Sequence, residues 1–131
     1  MATATRRATV TLTGHSKGGA ESKAGSAETG FPVYTFNTAE PNFRVHGLDR
    51  DNMGRHTNVI VQGDLLRQVY DLAPWISPNG EVYWISGEPL IPLNRLPFLP
   101  VGRLPALINS INAGVENHGL EPIIHYLENR D

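Results

Sequence analysis

The stretch 59–84 reads VIVQGDLLRQVYDLAPWISPNGEVYW and decides our prediction of the fold. An apolar run ends at Gly63, and a second strand-like run begins at Glu81 after a turn of specified geometry. A proline in this turn presets its own backbone angle, and an Asn-Gly pair tolerates the positive φ angles that a tight turn demands. We interpret the turn and its surroundings as a fixed wall beside a site, built from Pro74, Ser77, Pro78, Asn79, Gly80 and Trp84.

The composition is that of an ordinary globular protein. The chain has 131 residues, of which 40% are hydrophobic and 18% are charged, and no low-complexity linker divides it. We therefore predict a single domain over residues 1–131. The formal net charge of -2 gives no global signature of a nucleic-acid binder, so that role would depend on local charge. Because the chain has no cysteine, disulfides and thiol catalysis are excluded.

Hydropathy gives no sign of a membrane protein. No apolar run approaches the ~20 residues of a membrane-spanning helix. Residues 1–7 also lack the apolar core of a secretory signal. We therefore expect a cytoplasmic protein without a membrane partner.

Short alternating segments predict strands in the first two thirds of the chain. They cover residues 8–13, 31–36, 57–62 and 81–86. Residues 14–30 between the first two are small and polar, with glycine at positions 18, 19 and 25, and they predict a flexible loop. The spacing of a phosphate-binding P-loop is absent from this segment.

The C-terminal part has the period of helices. Apolar residues recur from Leu104 at i, i+3, i+4, i+7 and i+11, with Pro105 in the first turn and Gly119 at the end. A second, shorter helix follows. The predicted core positions are Leu104, Leu107, Ile108, Ile111, Val115, Ile123 and Ile124. Strands first and helices last indicate an α+β fold, with a mixed or antiparallel sheet followed by two C-terminal helices.

Several pieces of the chain occur in an order and spacing that resemble a known family. They are Ala8-Thr9-Val10 with Thr13-Gly14, the segment Gly30–Phe36, Val61-Gln62-Gly63-Asp64, Ala73-Pro74, Ser77–Gly80, Tyr83-Trp84 and the proline-leucine segment up to Pro100. Together they resemble the C-terminal half of the primase-polymerase domain of phage and plasmid replication proteins, in the archaeo-eukaryotic primase superfamily. The resemblance implies a role in DNA replication, with nucleic acid, nucleotide or a larger replication protein as partner.

The catalytic positions of that family are not matched. Its paired aspartates have no counterpart before Ala8, its histidine would fall at Pro32, and its third acidic residue would fall near Asn58 or Ile60. A two-metal site needs clustered carboxylates. The resemblance therefore implies a catalytically inactive or incomplete relative, and we expect neither a cofactor nor a bound metal.

Binding without chemistry remains open to such a relative. Arginines can meet phosphates, an exposed aromatic ring can stack on a base, and an amide can line the cleft. The candidate nucleic-acid-binding residues are Arg44, Arg50, Arg55, Arg67, Tyr34 and Asn58. The arginines could equally be solvated surface positions. For Trp84 we favour a place in the core over a stacking platform.

Two alternatives belong to other classes. In element order alone, strands followed by helices resemble the coat protein of single-stranded RNA bacteriophages. In such a protein the helices of one subunit cover the sheet of its partner, so it would form an interlocked dimer, a homo-oligomer that assembles into an icosahedral shell. The other alternative is a plain interaction module.

Overall fold

The computed structural model of the protein describes residues 9–71, 80–87 and 112–129. Strands and helices alternate in this part of the chain. The order is β1 Leu12–His15, α1 Lys17–Thr29, β2 Val33–Phe36, a 3-10 turn Arg50–Asn52, β3 His56–Val61, α2 Leu65–Asp71, β4 Glu81–Ile85, a helix α3 over 112–118 and α4 Glu121–Glu128.

The four strands form one sheet in the order β1-β2-β3-β4, and every neighbouring pair is parallel. Leu12 pairs with Val33 and Val33 with His56, which fixes the register at the start of the first three strands. Our prediction of a mixed or antiparallel sheet is therefore wrong. Parallel neighbours need a crossover connection rather than a hairpin, and helices α1 and α2 lie in two of these connections.

Helix α1 occupies the segment that we predicted to be a flexible loop. Three of its thirteen residues are glycine, so its intrinsic helix propensity is low. Packing against the sheet compensates for this, because Ser26 and Ala27 are buried and the Ser26 hydroxyl donates to the Phe31 carbonyl at 2.6 Å. Gly30 ends the helix in the left-handed conformation, with φ 72°. Tertiary contacts, rather than propensity, make this segment helical.

The apolar core of the described residues joins the sheet to α4. Val61, Ile85 and Ile123 form its buried cluster, with Phe36 and Val59 packed against it. Ile123, which we predicted to be a core residue, has 2% of its surface exposed.

Two of our predicted core positions are exposed. Val115 and Ile124 retain 56% and 42% of their surface, so the prediction is wrong for both. Val115 lies on the exposed side of α3, and α4 buries Ile123 but leaves the next residue, Ile124, exposed, because successive helix positions face different directions. Residues 104, 107, 108 and 111, which carried the rest of the stripe, lie outside the described residues, as do wall residues 74, 77, 78 and 79.

An ion pair is also buried, between α1 and the segment that follows β2. The Lys23 ammonium of α1 donates to the Glu40 carboxylate at 2.5 Å, and the two side chains are 1% and 8% exposed. Burial lowers the pKa of Lys23, Glu40 acts in the opposite direction, and Arg50 lowers it further. This ion pair ties α1 to the segment that follows β2.

The described residues contain no helix that combines the length and the apolar character needed to cross a membrane.

The buried ion pair predicts a double-mutant cycle. Lys23→Met should lower the free energy of unfolding by about 3–5 kcal/mol, because the Glu40 carboxylate stays buried without the ammonium. Lys23→Met combined with Glu40→Leu should recover most of that loss. Lys17→Met is the matched control on the same helix, since its pair with Glu21 is exposed; its change should stay within about 0.5 kcal/mol. Denaturant melts of the wild type, Lys23→Met, Glu40→Leu, the double variant and Lys17→Met measure these differences, and additive effects of the two single substitutions would contradict the coupling.

Candidate active site

Ser16 occupies the single residue between β1 and α1. Its backbone has φ 53° and ψ -123°, a conformation that residues other than glycine rarely adopt. Strain of this kind costs on the order of 1–3 kcal/mol and persists only where the surrounding structure enforces it. The turn projects Ser16 at the carboxyl end of β1.

Two glycines make room for this turn. A methyl group on Gly14 would overlap the backbone of Gly18, at the start of α1. A methyl group on Gly19 would overlap the Thr38 side chain and lie 3.2 Å from the Gly14 carbonyl oxygen. Gly18, by contrast, has nothing within 4 Å of the position that a methyl group would take. The strand and the helix can therefore approach closely only because positions 14 and 19 have no side chain.

The Ser16 hydroxyl does not cap the helix that it precedes. Serine at this position commonly accepts a hydrogen bond from a first-turn amide, but here the side chain makes no such bond. Its Oγ instead lies 2.8 Å from Nε2 of His118, a residue 102 positions later in the chain.

Asp64 lies just beyond the carboxyl end of β3. Gly63 turns the chain there with φ 80°, and Asp64 then caps the start of α2, its Oδ1 accepting from the Arg67 amide at 2.8 Å. The residue is 1% exposed. Its other oxygen, Oδ2, lies 2.6 Å from Nδ1 of His118. The cap fixes the carboxylate, and one oxygen is left to orient the histidine.

His118 ends the helical residues 112–118 and lies between the two other side chains. Its side chain is 24% exposed, whereas that of Asp64 is 2% exposed. A carboxylate can only accept, so Nδ1 carries the proton and donates to Asp64. Nε2 is then an acceptor for the Ser16 hydroxyl proton. The arrangement Ser16–His118–Asp64 is that of a nucleophile, a general base and an orienting carboxylate.

The first amides of α1 lie next to the nucleophile. The amides of Gly19 and Ala20 donate to the Ser16 carbonyl at 3.1 and 3.4 Å. The earlier amides, of Lys17 and Gly18, have no acceptor within the helix, because the first turn of a helix lacks preceding carbonyls. Helix N-termini favour negative charge. This end of α1 can therefore stabilise an oxyanion formed at Ser16.

No protein-family model matches the chain, and no curated protein matches its sequence.

The structure does not gather the residues predicted to bind nucleic acid. Arg55 precedes β3, whereas Arg67 lies in α2 beyond its carboxyl end, so the two arginines belong to opposite ends of that strand. Arg67 lies over the Trp84 ring at 5.7 Å, and Arg50 over the Phe43 ring at the same distance. Arg55 forms an ion pair with Glu81 at 3.0 Å, Arg44 is exposed, and Tyr34 is 43% exposed.

Two of the predicted roles disagree with the observed burial. Asn58 is fully buried and accepts a hydrogen bond from Thr35, so it lines no cleft. Trp84 is 49% exposed rather than part of the core; it lies on β4, the last strand in the sheet order, and its ring lies under the Arg67 guanidinium. Binding of nucleic acid and the primase-polymerase resemblance stay predictions. The coat-protein comparison loses its basis, since helices interrupt the strands.

We did not predict any member of the Ser16–His118–Asp64 arrangement from the sequence. The signal for the first was present, because residues 14–18 read GHSKG and match the G-x-S-x-G pattern of a nucleophile elbow between a strand and a helix. Because we predicted a loop at residues 14–30, the helix that must follow the serine in a nucleophile elbow was absent from our prediction. The sequence around Asp64 and His118 carries no comparable pattern. Within the described residues, no group of three or more His, Asp or Glu side chains could hold a metal ion.

The glycine contacts predict opposite effects at two neighbouring positions. Gly14→Ala should lower the free energy of unfolding by about 2 kcal/mol, because its methyl group meets backbone that cannot move independently. Gly18→Ala should leave stability unchanged or raise it by about 0.5–1 kcal/mol, because the site is open and helical. Thermal and denaturant unfolding of the two variants measures the difference. Equal effects would contradict the close approach of strand and helix.

Proposed function

We propose that the protein is a serine hydrolase that cleaves carboxylic esters by acyl transfer through Ser16. One observation carries the proposal. The Ser16 hydroxyl, at a strained turn between a strand and a helix, is 2.8 Å from His118 Nε2, and Asp64 holds the other ring nitrogen at 2.6 Å. The three side chains come from positions far apart in the chain and are joined by consecutive hydrogen bonds, from Ser16 to His118 and from His118 to Asp64.

Each of the three groups has a defined role in the acylation step. As the Ser16 oxygen attacks the ester carbonyl carbon, its proton passes to Nε2 of His118. The imidazolium that forms is stabilised by the Asp64 carboxylate at Nδ1, which also keeps the ring in the tautomer needed for attack. His118 then gives the proton to the departing alkoxide oxygen. The products of this half-reaction are an alcohol and an acyl ester on Ser16.

The charge that develops on the substrate oxygen falls near the N-terminus of α1. The Lys17 amide is the group that follows the nucleophile, which is the position that donates to the oxyanion in nucleophile elbows. A backbone donor of this kind is preorganised and needs no rearrangement during the reaction. The strained turn therefore serves both attack and charge stabilisation.

Water completes the reaction along the same route. His118 Nε2 takes a proton from water as the water oxygen attacks the acyl carbon, and it returns that proton to Ser16 Oγ when the acid leaves.

The chain order adds support to the proposal. The groups occur as Ser16, Asp64 and His118, which is the order found in α/β-hydrolases, where the serine follows a strand of a parallel sheet. Ser16 and Asp64 follow β1 and β3 at the carboxyl edge of the sheet, the edge at which ligands bind in open parallel sheets.

The proposal predicts esterase activity that depends on three side chains. Hydrolysis of p-nitrophenyl acetate by the full chain should lose at least about 10³-fold in kcat with Ser16→Ala or His118→Ala, because each removes a reacting group. Asp64→Asn should lose a comparable factor, since the amide can impose the wrong histidine tautomer. Release of p-nitrophenolate measures the rates.

Ser22→Ala is the matched control for this experiment. Ser22 lies on the same helix, but its hydroxyl donates to the Thr13 carbonyl and not to His118. Its kcat should stay within about twofold of the wild-type value, in line with a surface substitution away from the reacting groups. Esterase activity that survives Ser16→Ala unchanged would contradict the proposal, as would a wild-type protein that does not accelerate hydrolysis.

A further inference from the structure

Asn37 lies directly after β2 and is 1% exposed. Its backbone has φ 41°, a region that asparagine enters more readily than most residues other than glycine. Its amide donates to the Val59 carbonyl at 2.9 Å, so the residue is tied to the neighbouring strand β3. The side chain is thereby directed into the interior at the carboxyl edge of the sheet.

The Asn37 side chain bridges β3 and the segment that carries the histidine. Its Oδ1 accepts from the Val61 amide at 2.8 Å. Its Nδ2 lies 2.8, 3.2 and 3.5 Å from the carbonyl oxygens of Asn117, His118 and Gly119. An asparagine amide has two N–H groups and one acceptor oxygen, and all of this capacity is directed at backbone groups.

The His118 carbonyl has a second donor. His15 Nε2 lies 2.6 Å from this oxygen, and a carbonyl can only accept, so His15 carries its proton on Nε2. The rings of His15 and His118 are 5.1 Å apart. Because His15 and Asn37 come from the ends of adjacent strands, the backbone of His118 is fixed from two directions at the edge where Ser16 lies.

We infer that Asn37 is a positioning residue, which holds the His118 backbone so that its ring spans Ser16 and Asp64. This inference rests on the proposed hydrolase function. The histidine is 81 residues away from Asn37 in sequence, and its side chain must stay within hydrogen-bond reach of two partners. A misplacement of about 1 Å can cost on the order of 100-fold in rate. Asn37 acts through the backbone of His118 and touches no reacting atom.

Asn37→Asp tests the donor without changing the shape of the side chain. The introduced carboxylate can still accept from Val61, but it places a negative oxygen against three carbonyl oxygens. At pH 8 we expect kcat for p-nitrophenyl acetate to fall at least about tenfold, with KM changed less than about twofold. When the introduced carboxyl takes up a proton at lower pH, it can donate to a carbonyl again. The ratio of variant to wild-type kcat should therefore rise as pH falls.

Asn58→Asp is the matched control. Asn58 is also a fully buried asparagine of this sheet, and it bonds with Thr35 and the Glu81 carbonyl. Measured on the folded fraction, which circular dichroism determines at each pH, its kcat should equal that of the wild type at every pH. A general loss of stability would affect the two variants alike, whereas a lost positioning contact affects kcat in Asn37→Asp alone.

The outcomes separate the two proposals. If the wild type hydrolyses the ester and Asn37→Asp keeps the wild-type kcat, the positioning role is wrong and the hydrolase proposal stands. The same holds if the ratio of Asn37→Asp kcat to wild-type kcat does not change with pH and equals the ratio for Asn58→Asp. If the wild type does not hydrolyse the ester, both fail. Should Asn37→Asp not fold, Asn37→Ser, which keeps a shorter donor, must retain more kcat than Asn37→Ala for the inference to hold.

Discussion

The backbone conformation of Ser16 is the constraint on which the rest of the site depends. Its carbonyl accepts from the amides of Gly19, Ala20 and Ala39, and its own amide donates to the Phe36 carbonyl at 3.1 Å. The turn is therefore held by the helix that follows and by the end of the neighbouring strand. These bonds offset the cost of a positive φ at a residue with a side chain. Because the hydroxyl is not used to cap the helix, it is available to His118.

A parallel sheet explains why three distant side chains can meet. The carboxyl ends of β1, β2 and β3 lie at one edge, and they supply Ser16, Asn37 and Asp64 in turn. His118 arrives at the same edge from the helical residues 112–118. The buried pair of Lys23 and Glu40 ties α1, the helix that begins directly after Ser16, to the segment after β2. The contacts that stabilise the sheet and α1 therefore also position the residues of the site.

The sequence predicted the local elements better than their arrangement. The runs around Val33, Val59 and Val82 carried strand periodicity, and all three are strands in the structure. We predicted the wrong strand direction because we did not predict the helix at residues 17–29, which connects two parallel strands. That helix has little propensity of its own and forms by packing on the sheet. The G-x-S-x-G pattern around Ser16 indicates a nucleophile elbow only when a helix follows it. The pairing of His118 with Asp64, 54 residues apart, depends on tertiary contacts that no local pattern encodes.

The most direct measurement is the position of a covalent adduct after incubation with diisopropyl fluorophosphate. An activated serine oxygen displaces fluoride from phosphorus, whereas an ordinary hydroxyl is unreactive. We expect one adduct per chain, mapped by mass spectrometry to Ser16 and absent from the Ser16→Ala and His118→Ala proteins. Serines 22 and 26 of the same helix should stay unmodified. An unmodified wild-type chain, or an adduct that persists in Ser16→Ala, would show that Ser16 is not an activated nucleophile.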